Sequence, residues 1–523
     1  MKKGLQWALL LLIIGVLAIL IWDILTTGLL PIPWPQSASA PSEASYPEED
    51  PPKESPSENV PSSEAPSASA AVPEPLPTED ETPPTVTVGQ GVVLTPGTTA
   101  AMLQPEYWQA GSALLLTPQQ ITAVNEANAP EILYPAAEGG QAALPLYTIP
   151  DTVDGEEVRR LIASYTLPKV GEVWYSDGQR LGTAFWQQLD AARQLDTLPS
   201  AVTVRFGFIT QRTVVRSFPA DTAVYNSPDR TYYDYLAQSE LLPGEAIAVL
   251  HETADGDWCF VHAGSMGGWV HSTDIALCGR EEWDTMRQTS DFLIVTGREV
   301  RLDDAILPSQ SGGLLLPMGT RLPLMPDPPA LLDGRAAYGC HVVQLPTRAA
   351  DGSLVWQATP VPAAWEVSVG YLPLTAENAV RQMYRFLGQV YGWAGTLHAS
   401  DCSGCIRQVY RCFGLQLPRN SAQIVAVNGL AGGSLAGLSN ADKTTALAQL
   451  VPGSLLYLPG HIVLYLGMAD GVPYGISAVG SFGLPGSSAT VYANSTCVTP
   501  LTVTHRGGSW LSALTSYVQP LAG

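Results

Sequence analysis

The chain of 523 residues is 46% apolar and carries 26 basic against 48 acidic side chains, a net charge of −22 at pH 7. That length implies roughly three or four domains with ordinary hydrophobic cores. That balance argues against nucleic acid as a partner, because phosphate binding needs clustered Lys and Arg.

Lys2 and Lys3 precede an uncharged apolar run over 4–22. At about 1.5 Å of rise per residue, that run is long enough to cross a bilayer as a helix. Its positive end should stay cytoplasmic, which puts the rest of the chain outside. Residues 1–30 are therefore expected to form a retained single-pass anchor. The alternative is a secreted protein whose signal is cleaved at Ala38-Ser39-Ala40. That site lies well beyond the apolar run, and the run is longer than a usual signal core. No cysteine stands near the N-terminus to carry a lipid.

From 31 to 98 the composition turns to Pro, Ser, Ala and Glu, with Lys53 as the one basic residue. Such a segment cannot bury enough apolar surface to fold, and its prolines and like charges keep it extended. It is expected to be a disordered linker that holds the remainder off the membrane. Residues 99–200 mix helix-like runs, such as 183–195, with proline-punctuated loops and show no chemistry.

Short strands separated by turn signals follow over 201–282, as in a small all-β barrel. The cues include Asp255-Gly256-Asp257-Trp258-Cys259-Phe260-Val261 and Gly267-Gly268-Trp269-Val270. A looser second barrel is expected over 290–374, marked by Met318-Gly319-Thr320, Leu345-Pro346-Thr347-Arg348 and Gly370-Tyr371-Leu372-Pro373.

The last domain, 375–523, opens on a helical stripe of Ala379, Met383, Phe386 and Leu387 and then reads YGWAGTLHASDCSGCIRQVYRCFGLQLPRNSAQ over 391–423. Here Asp401-Cys402-Ser403-Gly404 leads into a helix whose apolar Ile406, Val409, Tyr410 and Phe413 fall at i, i+3, i+4 and i+7. Asp401 is placed to cap it, worth about 1 kcal/mol. Cys402 sits at the helix N-terminus, where unpaired N–H groups and the helix dipole favour an anion. Its thiol is expected to ionise more readily than a free cysteine, as a nucleophile requires. His461 opens the run His461-Ile462-Val463-Leu464-Tyr465-Leu466-Gly467, whose alternation sends His461, Val463 and Tyr465 to one face. His398 is closer to Cys402 in sequence, but it belongs to the approaching loop and is read as pocket-lining or solvent-facing.

The DCSG helix start, the Pro418-Arg419-Asn420-Ser421 turn and the Gly460-His461 strand occur in the order found in the NlpC/P60 cysteine peptidases, which this chain resembles. The two barrels resemble the paired bacterial SH3 (SH3b) domains that precede the catalytic domain in a subset of that family. The resemblance implies a multidomain chain with an α+β papain-like NlpC/P60 domain, two SH3-like barrels, an N-terminal stabilising region at 99–200 and a transmembrane anchor. It implies Cys402 as nucleophile and His461 as base. The family usually places a second His on the next strand to orient the base, and the matching position here is Ser477, which supplies a hydrogen bond but no basicity. His505 comes too late in the chain to match that position. Asp401, Ser403 and Ser421 match substrate-binding positions, although Ser421 is equally suited to be a helix cap. Trp393 is expected to be a pocket wall. No metal and no cofactor are expected.

Two functions follow from the resemblance. One is a membrane-anchored, extracytoplasmic endopeptidase that cuts the γ-D-glutamyl to diamino acid bond of peptidoglycan stem peptides or muropeptides. The other is a catalytically weak or inactive wall-binding protein that uses the SH3b domains and a degraded NlpC/P60 domain. The spacing Cys402-x-x-Cys405 also suits a redox dithiol, but no thioredoxin-like βαβ pattern surrounds it. Pairing among the other cysteines stays open.

Overall fold

The computed structural model describes residues 91–523 apart from 170–171, 230, 303–312, 333 and 506–507. The expected anchor at 1–30 and linker residues 31–90 lie outside the described residues. Among the described residues no helix is long and apolar enough to cross a membrane. Residues 91–98 follow the surface of the last domain, where the Tyr474 hydroxyl donates to the Gly97 carbonyl at 2.7 Å.

The first barrel is a seven-stranded antiparallel sheet. Its strands run, in spatial order, Ile275–Cys278, Arg205–Ile209, Ala246–Glu252, Trp258–Ala263, Met266–His271, Thr213–Arg216 and Ala237–Leu241. Alternate residues Ile247 and Val249, with Ile209, Val215, Val261 and Val270, fill its interior and are essentially inaccessible to solvent. The second barrel sets Phe292–Val295 between Arg321–Pro323 and Val367–Val369. The long hairpin Cys340–Arg348 with Leu354–Pro362 lies beside it. Leu293, Val295, Leu316, Leu345 and Val361 form its core.

The region at 99–200 does not form a body of its own and has two attachments. The helix Pro118–Ala127 is started by a reciprocal cap between Thr117 and Gln120. Its Ile121 and Val124, with Trp108 and Leu116 before it, join the core of the last domain. After residue 130 the hairpin Glu131–Pro135 with Gln141–Pro145 and the helix Gly155–Ala163 turn to the first barrel instead. There Ile132, Tyr134, Val158 and Ile162 pack with Phe206, Phe260, Trp269 and Trp283.

The last domain is built on two helices, α1 (Ala376–Tyr384) and α2 (Cys402–Arg411), against an antiparallel sheet. Its strands are β1 (Leu430–Ser434), β2 (Leu455–Leu458), β3 (His461–Ala469), β4 (Val472–Val479), β5 (Ser495–Pro500) and β6 (Ser516–Ala522), ordered β1-β6-β2-β3-β4-β5. Ala379, Met383, Ile406, Val409 and Tyr410 of the helices meet Ile462, Leu464, Ile476 and Ala478 on one face of the sheet. Val463, Tyr465 and Val479 point to the other face, onto Phe482 and Trp510.

The β3–β4 hairpin turns at Asp470-Gly471, both with positive φ (49° and 76°), as a two-residue loop requires. Its ladder runs Ala469↔Val472, Met468↔Pro473 and Gly467↔Tyr474, then shifts to Tyr465↔Gly475 and Leu464↔Ile476. Leu466 is the extra residue, a β-bulge. An unbroken ladder would set Ser477 opposite Leu464, on the helix side. The bulge exchanges the two faces and brings Ser477 to the side of Val463 and His461. Gly475 is required next to it, since a Cβ there would collide with the Val463 side chain.

Candidate active site

Asp401 caps α2, accepting from the Gly404 amide at 2.8 Å. Cys402 is therefore the first helical residue. It is 9% exposed, with the Ile462 amide of β3 facing its thiol. His461 begins β3 after Gly460, and its Nε2 lies 3.0 Å from the Ser477 hydroxyl. Ser477 is fully buried in β4, and the imidazole is also packed against the Trp510 ring, with centroids 4.9 Å apart. The charge of His505 reaches His461 from the strand Thr504–His505.

The electrostatics overturn one expectation. Burial pushes the Cys402 thiol up to about 12, and the Asp401 carboxylate adds to the rise. The Ile462 amide, the Arg419 guanidinium and the Ser403 amide work the other way without prevailing. The helix start supplies the favourable field expected of it, but desolvation of a thiolate is the larger effect. Burial, with the charge of His505, lowers His461 to about 4, against a smaller opposing effect of Asp401. At rest the Cys402 thiol and the His461 imidazole are both neutral.

Asp401 is 3% exposed and its carboxylate is held on all sides. One oxygen accepts from Gly404 and from the Ser403 hydroxyl at 3.1 Å, the other from the Ala394 amide at 3.0 Å and from Arg419 at 2.5 Å. Burial alone would raise the Asp401 carboxyl, but Arg419 and these amides hold it below the usual range. The carboxylate and Ser403 expected to meet substrate thus already have protein partners, since Arg419 also donates to Ser403 at 2.6 Å. Ser421 opens the short helix Ser421–Ile424, and Asn420, rather than Ser421, holds its cap position.

Trp393 stands against Tyr233 of the first barrel, ring centroids 5.3 Å apart, and Tyr233 also meets Tyr391 at 5.8 Å. Both hydroxyls are held above the usual tyrosine range by burial first and then by the thiolate that Cys402 forms on ionising, which places them near Cys402. Gly480 leaves room for Tyr233, whose hydroxyl would collide with a Cβ there.

Sequence reasoning brought Cys402, His461, Ser477, Asp401, Ser403 and Trp393 to one locality. It missed Arg419, although the residue lies inside a quoted motif, and it missed Tyr391, Tyr233 and Trp510. Arg419 had a usable signal, since a buried N-cap carboxylate calls for a nearby cation. Tyr233 and Trp510 arrive from distant parts of the chain and gave none. His398 has a left-handed backbone (φ 50°) in the loop before Cys402. All seven cysteines are free thiols, including Cys402 and Cys405.

Residues 388–474 match the NlpC/P60 family, and residues 224–271 match the SH3 domain of the SH3b1 type. No curated protein matches the chain. Among solved structures it is similar to an NlpC/P60 endopeptidase from Photobacterium damselae subsp. piscicida, with 17% identity and a TM-score of 0.60 over 78% of this chain and 94% of that one. It also aligns with an NlpC/P60 family protein from Bacillus cereus ATCC 10987, at 17% identity and a TM-score of 0.42 over 60% and 99% of the two chains. The first supports a shared fold, and the second is too distant to add to it. The chain therefore carries a domain of the NlpC/P60 family, preceded by a domain of the SH3b type.

Proposed function

We propose that the chain is a cysteine endopeptidase that hydrolyses the γ-D-glutamyl to diamino acid bond of peptidoglycan stem peptides or muropeptides. The observation that carries this reading is the 3.0 Å contact between His461 Nε2 and the Ser477 hydroxyl, at the start of a strand whose Ile462 amide faces Cys402. With Nε2 committed to Ser477, Nδ1 is the ring nitrogen left to take the thiol proton.

Because both partners rest neutral, the proton moves as the sulfur attacks rather than beforehand. Sγ bonds to the scissile carbonyl carbon while His461 accepts the thiol proton, and the carbonyl oxygen takes the negative charge. Donors for that oxygen are the open N–H groups at the start of α2 and the Tyr391 hydroxyl. The imidazolium then protonates the leaving amine. The resulting thioester is hydrolysed by water, with His461 again as base. Ser477 accepts from Nε2–H throughout and steadies the imidazolium. Trp393 and Tyr233 wall the pocket, while Asp401, Ser403 and Ser421 are assigned to the amino end of the stem.

Wild-type residues 91–523 are expected to release diamino acid from an L-Ala-γ-D-Glu-diamino acid stem, and Cys402→Ala to abolish release while the protein stays folded. Mass spectrometry of the products checks this. Identical profiles for the two proteins would make the domain a stem-binding module instead. We further propose that residues 1–30 hold the enzyme on the outer side of the membrane, on the strength of Lys2, Lys3 and the run 4–22. A mature N-terminus at Pro41 would replace the anchor with a cleaved signal.

A further inference from the structure

The strand Ala237–Leu241 is an edge of the first barrel's sheet. An open edge normally has to be covered or blunted, and here the loop and helix that carry Cys402 cover it. Glu240, 7% exposed, reaches out of that strand. One of its oxygens accepts from Gln408 Nε2 of α2 at 2.6 Å and from the Ser400 hydroxyl at 3.3 Å. Gln408 and Ser400 are themselves bonded at 2.9 Å. The other oxygen accepts from Arg212 Nε at 2.6 Å, and Arg212 donates onward to the Ala399 carbonyl at 2.6 Å. Nearby, Arg419 donates to the Gln238 carbonyl at 3.0 Å, which satisfies part of the edge itself.

The segment held this way is strained. Ala394, Leu397 and His398 all have left-handed backbones, with φ of 51°, 60° and 50°. Residues other than glycine enter that region at a cost and stay there only when their surroundings over-determine them. Gly395, at φ 90°, lies so close to the barrel that a Cβ would collide with the Glu240 stem. The far end of the loop is tied to the site by the Ala394 amide on Asp401. The loop is thus fixed at one side by the N-cap of α2 and at the other by a carboxylate of the barrel.

We propose that Glu240, together with Arg212, is a positioning pair for the cysteine site: the first barrel clamps the strained loop 393–400 and thereby fixes the start of α2 and the Trp393 wall. The barrel is then a structural part of the reaction centre. This rests on Cys402 being the nucleophile, and the test separates the two ideas.

Two variants act on different sides of the clamp. Glu240→Gln keeps the volume and removes the charge that holds Arg212. Gly395→Ala keeps both charges but pushes the loop and the Glu240 stem apart. Both are expected to lower kcat for the stem peptide at least tenfold with KM within threefold of wild type. Amide hydrogen exchange over 393–400 should rise at least tenfold while the unfolding temperature is kept. The pH midpoint for alkylation of Cys402 by iodoacetamide should stay in place, because Asp401 and Arg419 are untouched; a general loosening would solvate the thiol and lower it. Wild-type kcat and wild-type exchange in both variants would overturn the proposal. If Glu240→Gln does not fold, Gly395→Ala alone decides. If the wild-type protein cleaves no stem, the enzymatic reading fails, and unchanged exchange in the loop would then sink the clamp as well.

Discussion

The Ser477 hydroxyl meets His461 Nε2 at 3.0 Å, and we propose it as the group that orients the base. A serine fixes the ring's direction but adds no charge, so its share of the barrier is one of orientation. Ser477→Ala is expected to lower kcat roughly tenfold to a hundredfold, far less than loss of the thiol, and Ser477→His to preserve or raise it. Steady-state rates on the stem peptide check this, and an unchanged rate for the Ala variant would pass the orienting role to the Trp510 ring or to His505. The identities of these residues were legible because they sit in contiguous motifs. The protonation state of Cys402 was not, since the helix start is a local feature whereas burial is the sum of everything packed around it. The same holds for Arg419: its neighbourhood, with Asp401 on one side and the Gln238 carbonyl on the other, exists only after folding.

At the level of elements, the helix α2 was readable down to its cap, because Asp401 and the apolar positions 406, 409, 410 and 413 are encoded within one short stretch. The β3–β4 hairpin was readable at its turn, where Asp470-Gly471 accepts positive φ. Its pairing was not, because nothing in the sequence marks Leu466 as the bulged residue. Counting back from the turn without that bulge puts Ser477 on the helix side of the sheet. The alternation of Ser477 against Ile476 and Ala478 was right, but the link from that face to His461 depends on the bulge. The region 99–200 was opaque for a different reason. Its helices and hairpin bury their apolar faces on other domains, so their periodicity gives the faces but names no partner.

Over the whole molecule, acid sensitivity should come from buried histidines as much as from carboxylates. His262 is fully buried in the first barrel, donating to the Leu144 carbonyl at 2.8 Å, and burial lowers it from 6.5 to about 4. A folded value below the unfolded one means that the unfolded chain binds the extra proton between these limits. The contribution is whole above about pH 6.5 and is lost as the pH falls through about 4, a change on the order of 3 kcal/mol for a shift of this size. Urea midpoints for wild type and His262→Gln, taken from pH 7.5 to 4, should converge toward the acid end. Parallel curves would show that His262 does not titrate with unfolding. The segment 99–200 that leaves the catalytic core at residue 127 and joins the barrel core from residue 132 works as a strap between bodies that the sequence presents as separate beads. Neither body can open fully without stripping the strap from its neighbour. Its folding free energy is therefore shared property, and the chain from 91 onward should melt in one transition where a beaded protein would melt in several.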